Sequence, residues 1–351
     1  MNNSAAPKTK MPHRFLGDTG LLVSTLSLGS WARYSASFGV DEVFAIARHA
    51  FAQHGINFFD NAEGYGAGQA EQVLGQVVQR GIAQSVWTRE DLVLVTKIFL
   101  GTKSGPNAQG LSRKHIVEGT RASLKRLQVE YVDVLYCHRP EPYTPLEETV
   151  RAMNFVIDKG WAMYWGTSDW SSHDIIQACE IADRLKLMRP VVEQAAYNVF
   201  DRYKVEFDYV PLYQKYKLGL TIYSPMAASV LTGRYANGIT EGSRLAHPQY
   251  RLWYPDLDER IVKAEELREL AKERLDCTLP QLALAWVISN ENVSNVLVGA
   301  SSPAQLDENV KALEVASRLT PEIRAKIDDI VQFVPKLPEP DAYTTLRSKY
   351  L

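Results

Sequence analysis

"INFFDNAEGYGAGQAEQVLGQVVQRG", residues 56–81, and the "DLVLVTK" that follows at 91–97 decide the fold. The first seven residues are an apolar run ending in polar Asp60 and Asn61, which reads as a buried strand. A glycine-rich turn (Gly64, Gly66, Gly68) leads into a segment whose apolar residues recur at helical spacing, closed by Gly81. The second strand is apolar without alternation, as expected of a parallel strand covered by helices on both sides. One strand–helix–strand unit is therefore written in about forty residues, too long for a hairpin and right for a crossover.

The same unit repeats outward in both directions. "STLSLGSW" (24–31) and the helical "VDEVFAIARHAFAQHG" (40–55) precede it. After it come "LSRKHIVEGTRASLKRLQ" (111–128), with Ser112 as N-cap, and the strand "YVDVLYCH" (131–138). In "TPLEETVRAMNFVIDKG" (144–160), Thr144 caps, Pro145 opens the helix and glutamates fill its first turn. "AMYWGTS" (162–168), "VVEQAAYNV" (191–199), "LGLTIYSP" (218–225) and "NVLVGAS" (295–301) complete about eight strands. Ahead of the repeat, "HRFLGDTGLLVS" (13–24) reads as a hairpin around Asp18-Thr19-Gly20.

Eight strands with at least as many helices point to a closed (β/α)8 TIM barrel rather than an open doubly wound sheet. The first strand lacks the G-x-G-x-x-G turn of dinucleotide-binding sheets. The expected organisation is a polar tail over 1–12, one barrel domain over 13–335, and a Pro-rich C-terminal tail over 336–351. The rhythm breaks once, in the roughly 70 residues between Pro225 and the last strand. Their irregular polar part, from Thr232 to about Leu252, reads as a functional clamp, expected to be mobile without its ligand and ordered with it.

A net charge of −2 and the lack of any basic stripe exclude nucleic-acid binding as the main activity. With 46% hydrophobic residues there is ample material for a large core, yet no run approaches the 18 or so apolar residues of a membrane span. Three scattered cysteines and no leader-like N-terminus suit a cytoplasmic protein. No metal-ligand spacing stands out.

Residues at the C-terminal ends of barrel strands converge on one mouth. Asp60, Tyr65, Lys97 and His138 all fall there, and together they make a proton-donor system. Hydride addition to a carbonyl leaves charge on oxygen that an acid must meet. Tyr65 offers the proton, Lys97 would lower its pKa, and Asp60 would hold the lysine charged; His138 would hydrogen-bond the same oxygen. Cys137, next to His138, must face the other way.

"FFDNAEGYG", "LVTKIF", "YVDVLYCHRP", "YWGTSDW", "EQAAYN" and "VGASSPAQLDEN" resemble the aldo-keto reductase superfamily. The segments 110–134, 144–168 and 277–301 are especially similar to its branch of voltage-gated potassium channel β-subunits. The resemblance implies a TIM barrel that uses NADP(H), with Asp60, Tyr65, Lys97 and His138 as the catalytic set. It implies that Ser30 and Trp31 also border the cofactor, Ser168 and Gln194 hold the nicotinamide amide, and Tyr223 stacks on its ring. Ser224, Pro225, Met226, Ala227, Ala228 and Arg234 would line the pyrophosphate path, and Ser243 with Arg244 would clamp the adenosine end. Gly299, Ser301, Gln305, Glu308 and Asn309 would hold the adenosine and its 2′-phosphate. A carbonyl substrate would meet Trp31, Tyr34, Phe99 and Trp170. Relatives in this branch form tetramers, so a homo-oligomer is expected. Two positions depart from the mammalian channel subunits: His138 where they carry Asn, and Asp169 where they carry Arg. The histidine favours a working reductase, and Asp169 is left out of the cofactor contacts.

Overall fold

The computed structural model describes residues 11–30, 39–239, 241, 243–246, 251, 254–336, 343 and 346–350. The hairpin comes first: β1 (His13–Phe15) pairs antiparallel with β2 (Leu22–Ser24). Eight parallel strands then close on themselves. In chain order they are β3 (Leu26–Gly29), β4 (Phe58–Asp60), β5 (Val93–Ile98), β6 (Val132–Cys137), β7 (Ala162–Ser168), β8 (Val192–Ala196), β9 (Gly219–Tyr223) and β10 (Val293–Val298). Each pairs with its neighbour in sequence, and β10 closes the ring against β3. The expected barrel and its hairpin are both present.

Two apolar layers follow from this closure. Inside the barrel, Phe58, Val93, Val95, Val134, Tyr136 and Val192 pack together with Leu16 and Val23, so the hairpin plugs the barrel's N-terminal end. Arg14 pins that plug, donating to the carbonyls of Ile288, Asn290 and Val293. Gly17 must be glycine: it has φ +59, and a Cβ there would lie 2.3 Å from the carbonyl oxygen of Val191. Outside, the strands' other faces meet the helices in one large core.

The helices are α1 (Val40–His54), α2 (Gln69–Ala83), α3 (Arg113–Leu127), α4 (Leu146–Asp158), α5 (Ser172–Leu185) and α6 (Val210–Tyr216). Then follow α7 (Leu257–Leu275), α8 (Leu279–Ile288), α9 (Pro303–Val310), α10 (Ala312–Ala316) and α11 (Pro321–Val331). A π-helical turn at Lys204–Asp208 precedes α6. Ser112 caps α3 through the His115 amide, and Ser302 caps α9 through that of Gln305, with Pro303 in the first turn. α8 is apolar on every side and buried accordingly.

Two local expectations differ. Gly81 does not end α2, which continues to Ala83; instead the glycine lets Trp87 pack where a Cβ would lie 2.0 Å from the indole. Thr144 does not cap α4, because its hydroxyl donates to Glu141 at 2.7 Å and Pro145 takes the cap position. Among the described residues, no helix is long and apolar enough to cross a membrane.

Candidate functional site

Because all eight strands run parallel, their C-terminal ends share one rim. Ser30 follows β3, Asp60 ends β4, Lys97 lies one residue inside the end of β5, and His138 follows β6. Ser168 ends β7, Gln194 lies in β8, Tyr223 ends β9 and Gly299 follows β10. Tyr65 reaches the same rim from a 3-10 turn after β4, Tyr65–Gly68, in which Gly66 and Gly68 take left-handed angles.

The centre of this rim is tightly bonded. The Lys97 ammonium is fully buried and lies 2.6 Å from both carboxylate oxygens of Asp60, 2.9 Å from the carbonyl of Asn61 and 3.3 Å from the Tyr65 hydroxyl. Gln194 reaches across from β8 and donates its side-chain amide to the same Asp60 at 3.0 Å. His138 packs edge-on to Tyr65, with ring centroids 5.7 Å apart. The four expected catalytic residues are therefore in one place.

Their electrostatics differ from expectation in one respect. Burial pushes the Tyr65 phenol well above its ordinary 10.0, and the Asp60 charge adds to this. The expected lowering by Lys97 does not prevail, because burial of the phenol is the larger effect and the Asp60 charge acts in the same direction as burial. Burial also lowers Lys97, while Asp60 works to keep it charged. Burial, with the charges of Arg139 and Lys97, holds His138 well below 6.5, so the imidazole is neutral. The site thus holds a protonated phenol and a neutral imidazole, both able to donate. Cys137 is buried on the opposite face and burial pushes its thiol up, which removes it as a nucleophile.

Sequence reasoning missed a second network beside the first. Arg139 donates to the carbonyl of His138 at 2.7 Å and to the Ser168 hydroxyl at 3.3 Å, and pairs with Asp169 at 3.2 Å. Asp169 also accepts the Tyr223 hydroxyl at 2.7 Å and faces Lys204 at 3.5 Å. Burial raises this carboxyl, but Arg139 and Lys204 outweigh it and hold it below the usual range. Asp169 takes φ +56, a costly conformation for a non-glycine residue and one that concentrates at functional sites. The signal was the position of both residues, each one past a strand-end residue already singled out.

A third region follows β9. Ser224, Ala227, Ala228 and Ser229 all take left-handed angles, an unusual density for non-glycine residues, with Pro225 and Met226 between them. Such turns gather backbone N–H groups into anion-binding concavities. Arg234 is exposed nearby in sequence, and Ser243 lies beyond it with its hydroxyl buried. Arg244 opens a short helical turn over Arg244–Ala246; its side chain lies outside the described residues, as do Trp31 and Tyr34. Gly299, Ser301, Gln305 and Glu308 are exposed around the start of α9, where the Gln305 side chain accepts from the amide and hydroxyl of Ser301. Glu308 pairs with Lys311 and accepts from Gln281. Phe99 and Trp170 are both almost fully buried.

Unpaired buried polar atoms test whether these residues fit a bound cofactor, since such atoms are costly unless something satisfies them. Among the described residues, five such atoms lie on residues expected at the cofactor or substrate: Ser30 Oγ, His138 Nδ1, Trp170 Nε1, Ser243 Oγ and Asn309 Nδ2. Others, such as Arg89 Nε, Gln109 Oε1 and Tyr216 Oη, lie on residues not expected there, so the five fit a bound cofactor without being exclusive to it.

The fold is a (β/α)8 barrel with an acid–lysine–tyrosine–histidine cluster at its rim, and residues 25–332 match the Aldo/keto reductase family. The chain belongs to that family, which supports an oxidoreductase; its members typically use a nicotinamide cofactor. Two relatives are each described as a probable voltage-gated potassium channel subunit beta. One, from Arabidopsis thaliana, is 51% identical, and the other, from Oryza sativa subsp. japonica, 50%; each match covers 94% of this chain and 99% of the relative.

Proposed function

We propose that the protein is an NADP(H)-dependent reductase of aldehydes and ketones, with Tyr65 as general acid. The observation that carries this reading is the buried Asp60–Lys97–Tyr65 chain with neutral His138 against the phenol. NADPH, when bound, supplies the hydride. Every other task falls to the chain. His138 and Tyr65 present two donors to one substrate oxygen, which orients the carbonyl before reaction. As charge develops on that oxygen, Tyr65 releases its proton to it, and the Lys97 ammonium 3.3 Å away stabilises the phenolate left behind. Asp60 keeps the lysine in place and charged.

Ser168 and Gln194 would hold the cofactor's amide, and Tyr223 would lie along its ring. The left-handed turns from Ser224 to Ser229 would receive its diphosphate. Ser243, Arg244, Ser301, Gln305 and Asn309 would hold the adenosine end, where positive charge selects a 2′-phosphate. Spectrophotometric assay of NADPH consumption with a panel of aromatic and aliphatic aldehydes tests the reading; no turnover of any member would sink it.

A second reading rests on the descriptions of the two relatives: a cofactor-loaded regulatory subunit of a potassium channel. His138 counts for the enzyme, since a neutral second donor at the substrate oxygen serves catalysis. Co-purification with a channel, together with absent turnover, would favour the second reading.

A further inference from the structure

The sequence carries no metal-binding motif, yet closure of the barrel brings three ligand side chains together on its outer helices. β10 pairs with β3, so the helices that follow them, α9 and α1, pack side by side. His49 and His54, from the last two turns of α1, both direct Nε2 at one oxygen of Asp307 on α9, each at 2.6 Å. The three ligand atoms all lie within 4.8 Å of one another. The imidazoles stand edge to face, with centroids 5.2 Å apart.

We propose that His49, His54 and Asp307 form a binding site for a divalent transition-metal ion of the zinc type. Two imidazoles and one carboxylate are a donor set suited to zinc and its neighbours rather than to magnesium or calcium, which take all-oxygen sites. Zinc stands about 2.0–2.1 Å from such atoms, so a tetrahedral ion needs them about 3.3 Å apart. Small rotations of three partly exposed side chains achieve that from the present spacing. The hydrogen-bonded alternative makes one oxygen take two short contacts, which an ion between the three would replace with three direct bonds. A shallow cleft lined by Ala45, Arg48, His49, Ala52, Gln53 and Pro303 borders the cluster and leaves the remaining coordination positions open to water. Arg48 opposes a cation, so binding should be moderate rather than tight.

A bound ion would fasten α1 to α9. The consequence for the cofactor rests on the function proposed above, which puts Gln305 and Asn309 on that helix; the metal site itself does not depend on it. Its test therefore uses no cofactor. Tag-free, full-length protein is titrated calorimetrically with Zn²⁺, and Co²⁺ is used as a visible-absorbing probe of four-coordinate geometry. The expected result is one saturable equivalent, an intense cobalt band, and a rise in melting temperature of about 2 °C or more with zinc. H49Q, H54Q and D307N should each weaken binding by about tenfold or more. These residues are partly exposed, so the variants should fold, and circular dichroism verifies it; should H54Q distort the helix end, D307N decides alone. Binding no tighter than about 1 mM, or affinity unchanged in D307N, would overturn the site.

Discussion

At the ends of β4 and β5, each charged atom of Asp60 and Lys97 has a partner within 3.3 Å, and the side chains are almost entirely buried. After β9 and ahead of α9 the arrangement is reversed: Ser243 and Asn309 bury polar atoms with no partner, four non-glycine residues take left-handed angles, and Gly299 to Gln305 are largely exposed. The first region is complete in itself. The second bears costs that only a bound molecule would repay. On the function proposed above, the difference would separate the place where bonds change from the place where a cofactor is held, so that the two could be damaged independently.

The sharpest way to break the comparison is Tyr65→Phe. Turnover should fall by about 10² to 10⁴ while NADPH still binds nearly as before, because the hydroxyl acts chiefly in the transition state. Stopped turnover with lost binding, read by fluorescence titration, would mean that the two regions are not separable. Asp60→Asn should instead damage the fold. It leaves the Lys97 ammonium buried without its counter-charge, at a cost of about 3–5 kcal/mol in unfolding free energy by denaturant titration. A loss under about 1 kcal/mol would show that Lys97 gives up its proton instead.

The holding region carries a smaller effect. NADPH should bind at least about tenfold more tightly than NADH, or 1.4 kcal/mol. Equal dissociation constants would remove the reason to place a 2′-phosphate near Arg244, Ser301 and Gln305. Smallest is a pH effect at His138. Its folded value lies well below 6.5 while the unfolded chain titrates near 6.5, so the unfolded state takes up the proton first. Stability contributed by the neutral imidazole is present above that value and declines as pH falls through and below it. His138→Asn should flatten the acid side of a stability-against-pH curve; an unchanged slope would mean that other groups set it.

Much of this was readable from the chain. Apolar strands without alternation, glycine at helix ends and Ser112 or Ser302 at helix starts are local signals, and barrel geometry then carries strand-end residues to one rim. Local signals failed where a distant partner outbid them, as when Trp87 claimed the space beside Gly81 and Glu141 claimed the Thr144 hydroxyl. The Tyr65 acidity was misjudged because residue types give signs of charge but not the depth of burial, which here outweighs them. The Arg139–Asp169–Tyr223 network joins residues on the strand ends β6, β7 and β9, and the His49–His54–Asp307 cluster joins helices that only closure of the sheet makes neighbours. The loop from Thr232 to Leu252, expected as a clamp, lies partly outside the described residues.

One bond at the rim has a wider meaning. Gln194 gives its amide to the same Asp60 oxygen that also holds Lys97, so the phenol, the ammonium, the carboxylate and the glutamine form a single relay across the barrel's diameter. Whatever draws on Gln194 alters how much negative charge Asp60 can spare for the lysine, and hence how well the lysine receives a phenolate. On the function proposed above, occupancy on the β8 side would be felt at the acid on the β4 side through three hydrogen bonds and no backbone movement.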